Sequence, residues 1–278
     1  MKIRIKSLIN LLIKLTIKTR LGLYVLRNLL DSAMGKYVQV SHESISLKIV
    51  TPNSLCEWRA KTFSSKEPET LEWIDSFAEK SVVWDVGANI GLYSMYAAKK
   101  RNCLVWSYEP SVFNLELLAR NIFINGLQRQ ICIVPFALSE EMGSSSLRMT
   151  TTEWGGALST FGKNLGWDGK EVQEVFEFKT IGLSMDDAKM LLNIPQPDYI
   201  KMDVDGLEHF ILKGGRLILA SVKGVLIEVN DDFHEQAAQC HQLLTHAGLI
   251  LKEKRQSDYI ASNTEGFQNS YNQIWART

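Results

Sequence analysis

The run Tyr199-Ile200-Lys201-Met202-Asp203-Val204-Asp205-Gly206-Leu207-Glu208 puts three carboxylates, Asp203, Asp205 and Glu208, into six positions directly after an apolar, strand-like stretch. Carboxylates that close repel one another unless something offsets them, so the run suits a cationic ligand, a proton taken from a substrate, or a metal ion. A carboxylate beside a hydroxyl can take its proton while that oxygen attacks. Asp205 and Glu208 are the candidates for this work, with His209 and His234 behind them. Glu228, Asn230 and Asp231 follow the next apolar run, and with Asp203 they could form an oxygen-rich Mg2+ site. A helix cap also explains Asp205 and Glu208, with Asp205 as the cap and Glu208 three residues on.

Val83-Trp84-Asp85-Val86-Gly87-Ala88-Asn89-Ile90-Gly91 reads as a buried strand running into a glycine turn and a helix. Gly87 lets the backbone approach a ligand with no Cβ in the way. Gly91 allows close packing of helix on strand, and the helix start offers free N–H donors. The spacing G-x-x-x-G differs from the G-x-G-x-x-G of pyrophosphate sites, which favours a ligand without a pyrophosphate. Asp85 suits a cationic amino-acid group. Glu109 ends the next strand, 109 − 85 = 24 residues after Asp85. An acid there can accept both hydroxyls of a ribose. At the end of the third strand, Pro135-Phe136-Ala137-Leu138-Ser139 could flank a flat base with apolar surface and a backbone N–H, Ala137 and Leu138 supplying the contact.

These groups need a scaffold that gathers them at one edge. Strand-like runs at 81–86, 103–108, 131–138, 198–204 and 223–229 alternate with helical patterns at 92–100, 112–125 and 233–247. Runs at 249–252 and 271–276 could close the sheet. Such alternation predicts an α/β fold, an open doubly wound sheet, mainly parallel, with helices on both faces. Residues 36–80 read as a lead-in covering the edge of the sheet, and 81–278 as the ligand-binding domain. Residues 140–182 break the rhythm with Trp154, Trp167 and several glycines between two strand-like pieces, which predicts an inserted hairpin serving as a lid or substrate loop. Either tryptophan could stack on a sugar face.

Residues 1–35 form a separate arm. Its first thirty residues hold seven basic groups and no acid, leaving 31 − 7 = 24 basic against 31 acidic groups elsewhere. A mildly acidic body disfavours a nucleic-acid partner. Ile5, Leu8, Leu12, Leu15, Leu23, Leu26 and Leu30 mark one stripe of a helix. The uncharged runs fall short of the ~20 apolar residues of a membrane span, and no cleavage site for a secretory signal is evident. The arm packs on the domain, associates with a second copy, or lies on an anionic membrane face. Four cysteines without CxxC pairing, Cys103 and Cys132 within apolar runs, read as free, mostly buried thiols of a cytoplasmic protein.

Taken together, Asp85–Gly91, Glu109-Pro110, Ala137-Leu138-Ser139 and Lys201–Glu208 resemble the FkbM family of S-adenosylmethionine (SAM)-dependent methyltransferases over about residues 80–232. The resemblance implies a Rossmann-like class I fold of seven strands with the last antiparallel, SAM as cofactor, and O-methylation of a hydroxyl on a sugar, glycan or glycolipid-like metabolite. It also implies that Asp85, Gly87 and Asn89 hold the methionine part and Glu109 the ribose. The family usually shows Asp-Val-Glu-Gly-x-Glu; here the middle acid is Asp205, one methylene shorter. The alternatives are a nicotinamide-dependent oxidoreductase, against which the glycine spacing counts, and a non-catalytic membrane-associated module of the same fold. N-methylation is a third, disfavoured because Asp203-Val204-Asp205-Gly206 replaces the Asn/Asp-Pro-Pro-Tyr-type element common in such enzymes.

Overall fold

A computed structural model describes residues 11–256, 258–263 and 269–277. Ile5, Leu8 and the basic residues before position 11 lie outside them. Residues 11–16 are helical, and helix α1 (Arg20–Gly35) follows, capped by Thr19, whose hydroxyl accepts from Gly22 N. A hairpin β1 (Tyr37–His42) and β2 (Ile45–Val50) leads to helices α2 (Ser54–Lys61) and α3 (Pro68–Asp75). Asn53 caps α2, and Pro68 begins α3 at a position where its missing N–H is not needed.

The domain proper begins with β3 (Val82–Val86), α4 (Leu92–Arg101), β4 (Leu104–Tyr108), α5 (Val112–Ile124) and β5 (Ile131–Val134). A small sheet follows, made of β6 (Ala137–Leu138), β7 (Gly143–Met149), β8 (Thr160–Phe161) and β9 (Phe176–Leu183). After it come α6 (Met185–Leu191), β10 (Tyr199–Met202), α7 (Glu208–Lys213), α8 (Arg216–Leu219) and β11 (Gly224–Asn230). The chain ends with α9 (His234–His246), β12 (Ile250–Arg255), α10 (Asp258–Asn263) and β13 (Ser270–Ala276).

Seven strands form the main sheet in the order β12-β13-β11-β10-β3-β4-β5. β13 runs antiparallel to both neighbours, while β11, β10, β3, β4 and β5 pair in parallel. This is the α/β sheet expected from the alternation and the Rossmann-like arrangement that the resemblance implies. Both faces are buried. Val83, Val105 and Leu226 pack under α4 and α5, and Trp84, Val86, Met202 and Ile227 pack on the other side. One row breaks the apolar pattern: register places Lys201 beside Asp85, and Asp85 beside Ser107. Three polar residues across a buried sheet face need one another, because water cannot serve them there.

Several local expectations change. The run 131–138 is two strands in two sheets, because Pro135 has no N–H to continue a ladder. Cys132 is exposed, since it points outward from the edge strand β5, whereas Cys103 is buried. The hairpin β1–β2 packs on α4 and α5. The inserted residues pair as β7 against β9, Gly143–Met149 opposite Phe176–Gly182. No helix among the described residues is long and apolar enough to cross a membrane.

Candidate active site

The parallel strands end around a cavity of about 330 Å3. It lies where chain order reverses, β3 leading to β4 on one side and lying against β10 on the other. Open α/β sheets bind ligands at such a point. One end of the cavity is formed by Gly87–Ile90, Glu109 and Phe136–Leu138. The other is formed by Asp203, Asp205, Glu228 and residues of the α2–α3 segment.

At the first end Glu109 joins two turns. Its Oε2 accepts from Asn89 N and its Oε1 from Ser111 N, both at 2.8 Å. Burial nevertheless dominates and pushes its carboxyl up to about 7, because taking the charge from water outweighs these donors. Ligand hydroxyls donating to it would favour the ionised form. Asn89, itself at φ +50, donates from Nδ2 to Gly156 O at 2.8 Å.

Gly87 (φ +79) has a reason beyond ligand approach: a Cβ there would stand 1.9 Å from the carbonyl oxygen of Asp203. The turn after β3 is pressed against the end of β10. Gly87→Ala combines a left-handed backbone with a main-chain clash and is expected to cost about 2–4 kcal/mol of unfolding free energy. Denaturant unfolding measures it, and a loss under about 1 kcal/mol would show that the two strand ends can separate freely. Gly91 (φ +87) serves helix packing rather than a strand contact, since its Cβ would meet Leu118 Cδ1 at 2.5 Å.

At the second end lies a mixed cluster of charges. Lys201, almost fully buried, donates to Asp203 Oδ2 at 3.2 Å and stands 3.8 Å from Asp85 Oδ1. Burial opposes its charge, but Asp203 and Asp85 win and raise its pKa. Burial likewise opposes ionisation of Asp203, yet Lys201 and Lys66 overcome it and take the carboxyl down to about 2. Asp205 is raised to about 6 by burial and by the charge of Asp203. It sits at φ +58, a conformation Asp tolerates better than most, and its Oδ2 accepts from Leu158 N at 2.7 Å. Glu228 is pushed well above the usual range by burial, then by Asp203, to which it is hydrogen-bonded. One oxygen from each of Asp203, Asp205 and Glu228 lies within 4.8 Å of the others.

A strap from the inserted hairpin crosses between the two ends. Gly156 O accepts from Asn89 Nδ2 and Asn114 Nδ2, and Gly155 N donates to Asn114 Oδ1. Gly155 O accepts from Arg59 Nε at 2.7 Å, and Trp154 O accepts from Asn53 Nδ2. Gly206 (φ +110) lies against the same insert, for a Cβ there would meet Gly166 O at 2.5 Å.

Of the residues singled out in the sequence, Gly87, Asn89, Glu109, Ala137, Leu138, Asp203 and Asp205 line the cavity. Asp85, Gly91, Glu208, His209 and His234 do not. Asp85 is turned into the sheet, where Ser94 Oγ donates to its Oδ2 at 2.5 Å. Glu208 folds back on its own turn. Its two oxygens accept from Val204 N and Gly206 N, each at 3.0 Å, and Gln236 Nε2 donates to Oε2 at 2.5 Å. It thereby braces the loop that carries Asp203 and Asp205. His209 is buried against the rings of Phe210 and Phe233 with neither nitrogen hydrogen-bonded, and burial takes its pKa down to about 4. His234 is exposed at the start of α9. Asn230 donates to Trp167 O, and Asp231 pairs with Lys254 on the surface, so neither joins Asp203. Trp154 packs on the core, and neither it nor Trp167 lines the cavity.

The α2–α3 segment was not singled out in the sequence, yet Arg59, Lys66, Glu67 and Glu69 line the cavity. Lys66 Nζ pairs with Glu67 Oε1 at 2.6 Å, Tyr93 is hydrogen-bonded to Glu67, and Asn272 Nδ2 donates to Glu69 Oε1 at 2.8 Å. The available signal was Glu69, four residues before the buried Trp73 and so on the apolar stripe of its helix.

The profile of the Methyltransferase FkbM domain family matches residues 85–254, more than half of the chain. Hexuronic acid methyltransferase AglP of Haloferax volcanii is 26% identical over 208 residues, which are 73% of this chain and 79% of that protein. Among solved structures, M. jannaschii TYW2 in complex with AdoMet is similar at a TM-score of 0.45 with 13% identity, covering 87% of each chain. Precorrin-6y C5,15-methyltransferase from Geobacter metallireducens is similar at 0.44 with 12% identity, covering 76% of this chain and 87% of that one.

Proposed function

The chain belongs to the FkbM methyltransferase domain family, and from that premise we propose that it moves the methyl group of SAM onto a hydroxyl of a sugar, glycan or glycolipid-like acceptor. Membership sets aside the nicotinamide alternative. The observation that carries the finer reading is the continuity of one cavity from Glu109, past Gly87, to Asp203, Asp205 and Glu228. In this reading Glu109 accepts the ribose hydroxyls, Phe136–Leu138 flank the adenine, and the Gly87–Asn89 turn holds the methionine part. The sulfonium then faces the carboxylate end. The AglP likeness supports a sugar acceptor, because that relative is named for a hexuronic acid.

The chemistry is a displacement at carbon. The acceptor oxygen attacks the methyl carbon in line with the carbon–sulfur bond. The bonding pair leaves on sulfur, giving the neutral thioether, and the hydroxyl proton passes to a base. Holding donor and acceptor in line supplies much of the rate. Asp205 is the proposed base: it lies on the wall, and its pKa of about 6 leaves it ionised near neutrality and still able to accept a proton. Asp203 stays anionic beside Lys201, and Glu208 holds the loop. Asp203, Asp205 and Glu228 do not fit a Mg2+ ion well, because Lys201 and Lys66 already bring positive charge to that cluster. The reaction as proposed takes no step through a metal.

The test is a transfer assay. The protein is incubated with SAM labelled on its methyl group and with a set of neutral and acidic monosaccharide glycosides, and labelled ether is sought by mass spectrometry. Label on a sugar oxygen is the expected result. Label on nitrogen or carbon of some other acceptor, with all glycosides untouched, would remove the sugar O-methyl reading while leaving the family standing.

A further inference from the structure

The methyl-transfer reading makes no use of the arm, whose surface is unlike the rest of the molecule. In residues 11–30 large apolar side chains face solvent in both helical pieces, among them Leu12, Leu15, Leu21, Val25, Leu29 and Leu30. Leu21 is 73% exposed and Leu29 60%. Exposed apolar surface of this extent marks an interaction site. The domain does not cover it: in α1 only Met34, near the C-terminal end, packs on the core. Gly22 is buried by the arm itself, since a Cβ there would meet Thr16 O at 1.8 Å.

Charge decides what would cover this surface. Residues 1–30 hold seven basic residues and no acid. In α1, Arg20, Tyr24, Arg27 and Asp31 follow at helical spacing along one side, while Leu21, Val25 and Leu29 follow along another. A second copy paired through the same surface would bring two sets of basic groups together. A surface of negative charge over apolar chains meets both features at once, the leucines entering the boundary and the lysines and arginines reaching headgroups. We propose that the arm docks this protein on the face of a lipid bilayer rich in anionic headgroups, without crossing it. The attraction is screened by salt.

The test uses the full chain in co-sedimentation with vesicles of phosphatidylcholine alone, or of phosphatidylcholine mixed with phosphatidylglycerol. Binding about tenfold tighter to the mixed vesicles, and weaker as salt is raised, is expected. Two double variants, Leu21→Ser with Leu29→Ser and Lys14→Glu with Lys18→Glu, should each lose it. The changed residues are exposed, and calorimetry with SAM shows that the variant domains remain folded. Equal binding to both vesicle types, or to neither, overturns the proposal. So does a lipid-free dimer, seen by light scattering, that the leucine variant abolishes, because the arm would then serve a second copy.

Discussion

Glu109→Ala is expected to weaken SAM binding by about 10²–10⁴-fold in calorimetry. The estimate takes two ribose hydroxyls donating to one carboxylate, each such bond contributing about 1.5–3 kcal/mol, at about 1.4 kcal/mol per factor of ten. The same carboxylate accepts from Asn89 N and Ser111 N, so its loss also leaves two turns less well held. Glu109→Gln separates the effects, because the amide keeps the size and one acceptor oxygen. If Gln binds SAM within about threefold of the wild type while Ala fails, the carboxylate is a structural tie and the ribose is held elsewhere. Asp85→Ala, which removes a group turned away from the cavity, should act mainly through stability: Ser94 loses its carboxylate acceptor and keeps only Ser107, and Lys201 keeps Asp203 but loses its second carboxylate neighbour.

The second large effect is on turnover. Asp205→Asn is expected to lower kcat by about 10²–10⁴-fold, the usual contribution of a positioned base. Asn suits the comparison well: it tolerates the left-handed backbone at this position and its oxygen can still accept from Leu158 N. The pH profile gives a second reading. A base works when ionised, and Asp205 is raised to about 6, so kcat/KM should rise as pH climbs through about 6 and level off above it. The Asn variant should lose that rising limb. A wild-type profile flat from acid to neutral pH, with Asn near full activity, would return the proton to solvent; a rising limb kept by the Asn variant would pass the role to Glu228.

The features that sequence made legible are local ones. The strand, glycine turn and helix around Asp85–Gly91 and the acid 24 positions on could be read because each step is set by neighbours along the chain. The mainly parallel sheet followed from alternation in the same way, while its seven strands with an antiparallel member were implied by the family resemblance. Glu208 does not line the cavity, and its partners, the turn before it and Gln236 from a helix 28 residues later, leave no local trace in the sequence. His209 stood out as a titratable group, and burial against two phenylalanines leaves it neutral and away from the cavity. The largest omission, Arg59 to Glu69, precedes the domain in sequence and reaches the cavity only because α2 and α3 fold over the sheet's carboxyl edge. A carboxylate on an apolar helical stripe, as at Glu69, is the trace such a visitor leaves.

The strap has a consequence for how this enzyme could change. Every bond described for it engages a main-chain atom of the strap: the carbonyls of Trp154, Gly155 and Gly156, and the N–H groups of Gly155 and Leu158. The side chains of Ala157 and Ser159, which border the cavity, take no part in that latch. Mutation can therefore rewrite this part of the cavity wall without loosening the piece that carries it, and the groups proposed for the cofactor are untouched. Acceptor range can drift across lineages at these positions while fold and donor stay fixed, and a library confined to positions 157 and 159 is the shortest route to a variant with a new substrate.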